Sequence, residues 1–291
     1  MLILFFCILL NSLIGVVFKL FERYGVDNFQ AIVVNYLVCV LTAAVVSNGN
    51  PIPPNLTSQP WFGFALGLGV LFIIIFNLFA LTVQKTGIMV STIFQKMSLV
   101  APALIAILVY QESSGILKWV GIGISLLAIV LLSYNAETEN KNSIQTHHLW
   151  IYPMLTFIGS CIIDSSIFLV QKNNLVDEGD IGFVASLFLF AGVTGFIILC
   201  FRLVQKQTNI KIKNIIAGVC LGIPNFFSIY LLLLALQQGW EGSVVFPVNN
   251  VGVLVLAAFF GIVLFSEKLN RIKLAGFVLS LLAIFFITYS S

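Results

Sequence analysis

Apolar runs about as long as a membrane is thick follow one another along this 291-residue chain. They lie near residues 2–20, 29–47, 61–83, 87–109, 116–134, 149–171, 181–203, 213–236, 242–265 and 271–288. A helix needs about 20 residues to cross a ~30 Å hydrocarbon core, so the pattern predicts ten spans. Lipid offers no partner to a backbone N–H or C=O, which leaves only helices and closed barrels able to cross. Unbroken apolar runs exclude the alternation of a barrel strand. The expected fold class is all-α, a polytopic membrane protein with ten transmembrane helices. Composition agrees, because 9% charged residues fall far short of the roughly one quarter that covers a water-facing surface.

Several function classes drop out at this stage. A net charge of +3, with basic residues scattered in short connections, does not make a nucleic-acid surface. Cys7, Cys39, Cys161, Cys200 and Cys220 all fall inside apolar runs without a repeated spacing, which reads as small buried hydrophobes. His147 and His148 have no cysteine or carboxylate at ligand spacing, so no metal site is expected. No phosphate-binding glycine loop and no H-E-x-x-H is present, which argues against an ATP-driven pump or a zinc protease. No cofactor is implied. The first apolar run lacks a basic leader and a small-residue cleavage site and is read as the first span.

The most polar connection, Asn135 to His148, divides the chain. At an offset of 155 residues the second half superposes on the first: Leu81 on Leu236, Gly87 on Gly242, Glu112 on Glu267, Lys118 on Lys273, Gly121 on Gly276, Ser125 on Ser280. The same register sets Gly63 and Gly67 on Gly218 and Gly222, pairs of small residues spaced for close helix approach. The expected organisation is a first repeat at 1–134, a linker at 135–148 and a second repeat at 149–291. Five spans per repeat is an odd number, so the second repeat must enter from the opposite side, giving two inverted five-helix repeats. Lys and Arg concentrate at odd-numbered connections, which predicts those in the cytoplasm and both termini outside.

The segment ALTVQKTGIMVSTIFQKMSLVAPALIAILVYQE with KWVGIGISLLAI, and its counterpart ALQQGWEGSVVFPVNNVGVLVLAAFFGIVLFSEKLNRIKLAGFVLSLLAI, resemble the drug/metabolite transporter superfamily, in its ten-helix EamA-like branch. The resemblance implies a carrier of small metabolites, with amino acids among the solutes credited to the superfamily. It departs from symmetry at one point: Pro102 aligns with Ala257, and Pro247 with Thr92.

Two ionisable residues fall inside spans away from their ends, Lys96 and Asp164. Each would cost about 2.5 to 3.5 kcal/mol at the bilayer centre, so each calls for a partner or a wet cavity. Thr92, Gln95 and Lys96 share a helical face at i, i+3 and i+4, with Ser91 and Ser98 on the adjoining flank. An ammonium among amide and hydroxyl groups suits a carboxylate or phosphate on a solute. At an offset of 153, Asp164 falls on Asn11 and Ser165 on Ser12, so equivalent helices bring polar groups to similar depth. Asn250 is the repeat partner of Gln95 and shares a face with Ser243 and Pro247. Asn35, Asn77 and Asn225 read as interhelical hydrogen bonds, and Glu112 and Glu267 as caps of the helices that follow them.

The expected function is secondary transport of a small-molecule solute by alternating access, with protons as a candidate coupling ion. The expected location is among membrane lipid, in a bacterial inner membrane. The candidate binding or coupling residues are Lys96, Asp164, Gln95, Thr92, Asn11, Ser165 and Asn250. Two competing readings are an intramembrane enzyme acting on lipid, with Asp164, Ser165 and Lys96 as base, nucleophile and cation, and a membrane adaptor that carries nothing. The lack of histidine in the spans weighs against the enzyme.

Overall fold

A computed structural model describes residues 2–47, 49–111, 115–138, 150–176, 180–238 and 242–289, the side chains of 133–138, 236–237, 242–244, 247 and 288–289 excepted. Glu112, His147 and His148, and the side chains of Ser243 and Pro247, lie outside that description. Among the described residues the structure is helical, without strands: α1 (Leu2–Tyr24), α2 (Asn28–Val46), α3 (Phe62–Thr86), α4 (Ile88–Lys96), α5 (Val100–Leu108), α6 (Ile116–Thr138), α7 (Ile151–Lys172), α8 (Ile181–Val204), α9 (Ile212–Gln237), α10 (Gly242–Phe265) and α11 (Arg271–Tyr289). Eight stretches, counting Ile88–Leu108 as one, are long and apolar enough to cross a membrane.

The sequence predicts one continuous helix at 87–109. The structure instead breaks it into α4 and α5 at a 3₁₀ turn, Met97–Leu99. Pro102 supplies the cause. It has no N–H to bond the carbonyl four residues back, at Ser98, and its ring crowds that carbonyl. The turn tightens accordingly, and the N–H of Val100 bonds back to Met97.

The chain folds into two compact units that each draw on both halves of the sequence. Unit 1 comprises Met1–Asn77 and Ser166–Gly239, and unit 2 comprises Leu78–Ser165 and Trp240–Ser291. Helices α3 and α7 therefore contribute to both.

Unit 1 is built on α2, which packs against α8 and α9. Glycines set the closeness of these contacts. A Cβ on Gly218 would lie 2.5 Å from Val34 Cβ, and one on Gly222 would lie 2.8 Å from the Asn35 carbonyl and from Val38 Cβ. Their repeat partners Gly63 and Gly67 face open space. The equivalent close approach in α3 falls instead at Gly69, where a Cβ would meet Phe190 at 2.4 Å. Asp27 and Asp180, 153 residues apart, do the same job at two helix starts: Asp27 accepts from the Gln30 N–H, and Asp180 from the N–H groups of Gly182 and Phe183.

In unit 2, α6 packs along α11 and α4 along α10. A Cβ on Gly121 would meet Ile287 at 2.9 Å, and one on Gly276 would meet Leu132 at 2.6 Å. Leu132 and Ile287 are themselves separated by the repeat offset, as are the two glycines. The start of each helix thus touches the end of its counterpart, a local two-fold between antiparallel partners. That arrangement is what an inverted duplication requires. The core of this unit is Met89, Val90, Ile93, Phe94 and Met97 from α4 and the following turn. These pack on Ile129 and Leu132, Leu254 and Ala258, and Ala283 and Ile284.

Candidate functional site

The core residues of α4 occupy one side of the helix, which leaves Thr92, Gln95 and Lys96 on the other. Gln95 and Lys96 are only partly covered, while Thr92 is buried and turns its hydroxyl inward to the Ile88 carbonyl at 2.8 Å. Lys96 ends α4, where a cation suits the negative pole of the helix.

The 3₁₀ turn places Ser98 beside α7. Its hydroxyl hydrogen-bonds the Asp164 carboxyl Oδ2 and also lies 2.5 Å from the Gln95 carbonyl oxygen. Ser98 is buried, whereas Asp164 keeps part of its surface open. Lys96 stands immediately before the same turn, as the last residue of α4. Unit 2 therefore gathers a cation, a carboxyl group and a hydroxyl at one helix break.

Other predicted residues take different places. Ser165 follows Asp164 on α7, partly exposed, as the last residue of unit 2 in that helix. Asn250 is partly exposed on α10, the helix that packs along α4, with buried Asn249 beside it. Asn11 belongs to α1 in unit 1, where it is partly exposed.

Ser98 is the member that the sequence alone undervalued. Its signal was the proline four residues later, which marks a break where side chains can reach groups a regular helix would hide.

Glu267 also departs from expectation. Its carboxylate does not cap the helix that follows it but the start of α4, accepting from the N–H of Ile88 at 2.6 Å and of Met89 at 3.5 Å. Two glycines make room: a Cβ on Gly87 would lie 2.7 Å from the carboxyl carbon, and one on Gly261 would lie 2.6 Å from Oε2. Gly87 also has φ +92. The carboxylate thus locks the half-helix that carries Lys96 to the end of α10, where Glu267 N–H bonds the Gly261 carbonyl at 2.9 Å.

Unit 1 holds two buried amide clusters. In mid-helix, Asn225 Nδ2 donates to Asn35 Oδ1 at 3.2 Å, and Cys39 Sγ donates to the Gly222 carbonyl at 3.4 Å. These are interhelical bonds between α2 and α9, as expected for lone asparagines. Near the helix starts, Asn214 Nδ2 donates to Gln30 Oε1 at 2.7 Å and Gln30 Nε2 donates to Thr208 Oγ1 at 2.5 Å. Asn77 instead bonds its own helix, at the Ile73 carbonyl.

Among the described residues no group of His, Cys, Asp and Glu could hold a metal ion, and the cysteines are free thiols.

Comparison with known proteins places these features in context. An uncharacterized protein of Haemophilus influenzae is 26% identical over 295 residues, spanning 98% of this chain and 97% of its own. A crystal structure of a protein only 16% identical superposes over 99% of this chain and 96% of its own with a TM-score of 0.60, a likeness of fold. The model of the EamA-like transporter family matches residues 151–289, the segment from α7 to α11. Through that segment the chain is similar to the EamA-like transporter family, within the drug/metabolite transporter superfamily.

Proposed function

We propose that this protein is a secondary transporter of a bacterial inner membrane, moving a small metabolite, an amino acid or related compound, by alternating access. The observation that carries this reading is the convergence of Lys96, Ser98 and Asp164 at the broken span of unit 2. Two ionisable groups inside apolar helices are costly unless they pair or face water or a solute. Lys96 offers three donors and a positive charge for a carboxylate. Gln95, Asn250 and Ser165 supply amides and a hydroxyl close by in sequence or on the packed helix, and Asn11 is the corresponding polar group of α1. Thr92 contributes through the helix, because its hydroxyl is engaged with its own backbone.

The test is solute-dependent flux in proteoliposomes, run with a panel of amino acids and related metabolites, with and without a pH gradient. Wild-type protein should show saturable flux for at least one compound, and Lys96→Met should abolish it. Undiminished flux in Lys96→Met would remove this residue from the mechanism. An adaptor would show no flux for any compound and no thermal stabilisation by any of them.

A further inference from the structure

Ser98 makes two contacts but has one hydrogen to give. Its Oγ lies 2.5 Å from the Gln95 carbonyl oxygen and hydrogen-bonds Asp164 Oδ2. A hydroxyl supplies one donor and two acceptor lone pairs, a backbone carbonyl only accepts, and an ionised carboxylate only accepts. With Asp164 ionised, the two oxygen–oxygen contacts must compete for a single hydrogen. With Asp164 protonated, each contact has its own: the carboxyl O–H donates to Ser98 Oγ, and the Ser98 O–H donates to Gln95. The second arrangement gives each of the two contacts its own hydrogen, which the burial of Ser98 favours.

We infer that Asp164 is a proton-binding site, and that Ser98 reports its state to the helix break by switching the partner of its hydroxyl. Loss of the proton, which leaves to water across the open part of Asp164, creates a carboxylate. Ser98 then turns its hydrogen from Gln95 to Oδ2, and the Gln95 carbonyl at the end of α4 loses that donor. Uptake of a proton reverses both steps, and no other bond is made or broken. In its own unit the titratable neighbours of Asp164 are Lys96 at the end of α4 and Cys161 one turn back on α7. The inference deepens the transport reading by giving the coupling ion a residue, and it can fail without that reading failing.

The experiment is infrared difference spectroscopy of the full protein in lipid nanodiscs, titrated from mildly acidic to mildly alkaline pH, alongside the flux assay. Wild type should show a protonated-carboxyl stretch that disappears as pH rises. Asp164→Asn should lose the band entirely, and Ser98→Ala should keep it at a shifted frequency, because the carboxyl has lost its acceptor. Asn at 164 can still donate to Ser98 Oγ, so that variant should fold like the protonated form. Absence from wild type of any such band that Asp164→Asn removes, as a three-centre bond to a permanently ionised carboxylate would give, overturns the inference. So does an unshifted band in Ser98→Ala. Flux without the band leaves a transporter with a different coupling; the band without flux leaves a proton site in a protein that is not the proposed carrier.

Discussion

The carboxylate of Glu267 sits against the start of α4, 2.6 Å from the backbone nitrogen of Ile88. A glutamate that closes one helix of unit 2 thereby fixes another that begins 179 residues earlier. It satisfies donors that the first turn of a helix leaves unpaired and sets a negative charge at the positive pole. The half-helix so held ends at Lys96, so the geometry of the candidate site depends on a contact far from it in sequence.

Gly87→Ala should damage this joint more than loss of the carboxylate does. The new Cβ would lie 2.7 Å from the carboxyl group, on a backbone with φ +92. We expect a loss of roughly 2 to 4 kcal/mol, against about 1 to 2 kcal/mol for Glu267→Ala, which removes a cap. Thermal unfolding in detergent would rank the two. Equal stability of Gly87→Ala and wild type would mean that the cradle does not exist.

The glycine pairs at repeat-equivalent positions should respond differently to the same substitution. Gly222→Ala pushes a methyl into the Asn35 carbonyl and Val38, and should destabilise unit 1 by roughly 1 to 3 kcal/mol. Gly67→Ala meets open space in a helix and should be neutral or stabilising by up to about 1 kcal/mol. Side-by-side melting curves decide the matter.

Asn225→Ala should cost about 1 to 3 kcal/mol, because Asn35 loses a bond while its side chain stays fully buried. Asn35 Nδ2 already finds no partner among the described residues, so the change strips an amide that is only half satisfied. Replacing both asparagines with leucine should recover part of the loss, since no buried amide then remains. A double-mutant cycle would show coupling, and strict additivity would contradict the contact.

Lys96→Gln and Asp164→Asn should separate charge from packing. Each keeps size and hydrogen-bonding capacity, so expression and thermal stability should stay near wild type while flux falls roughly tenfold or more, about 1.4 kcal/mol in barrier terms. If expression collapses instead, the pair serves the fold.

The helical class and the long apolar helices were legible in the sequence, and an internal repeat could be proposed from it. In lipid the solvent itself selects long apolar helices, and a repeat offset can be read by eye. The individual polar candidates Lys96 and Asp164 were legible too, because charge in an apolar run stands out. Their convergence through Ser98 was not, since it depends on how a proline-broken span meets α7. Nor was the destination of Glu267, because a carboxylate near two helix starts gives no sign of which it will cap. The units likewise interleave both halves of the chain, with α2 beside α8 and α6 beside α11. Periodicity along a chain reports which faces must be covered, but only packing in three dimensions decides which helix covers them.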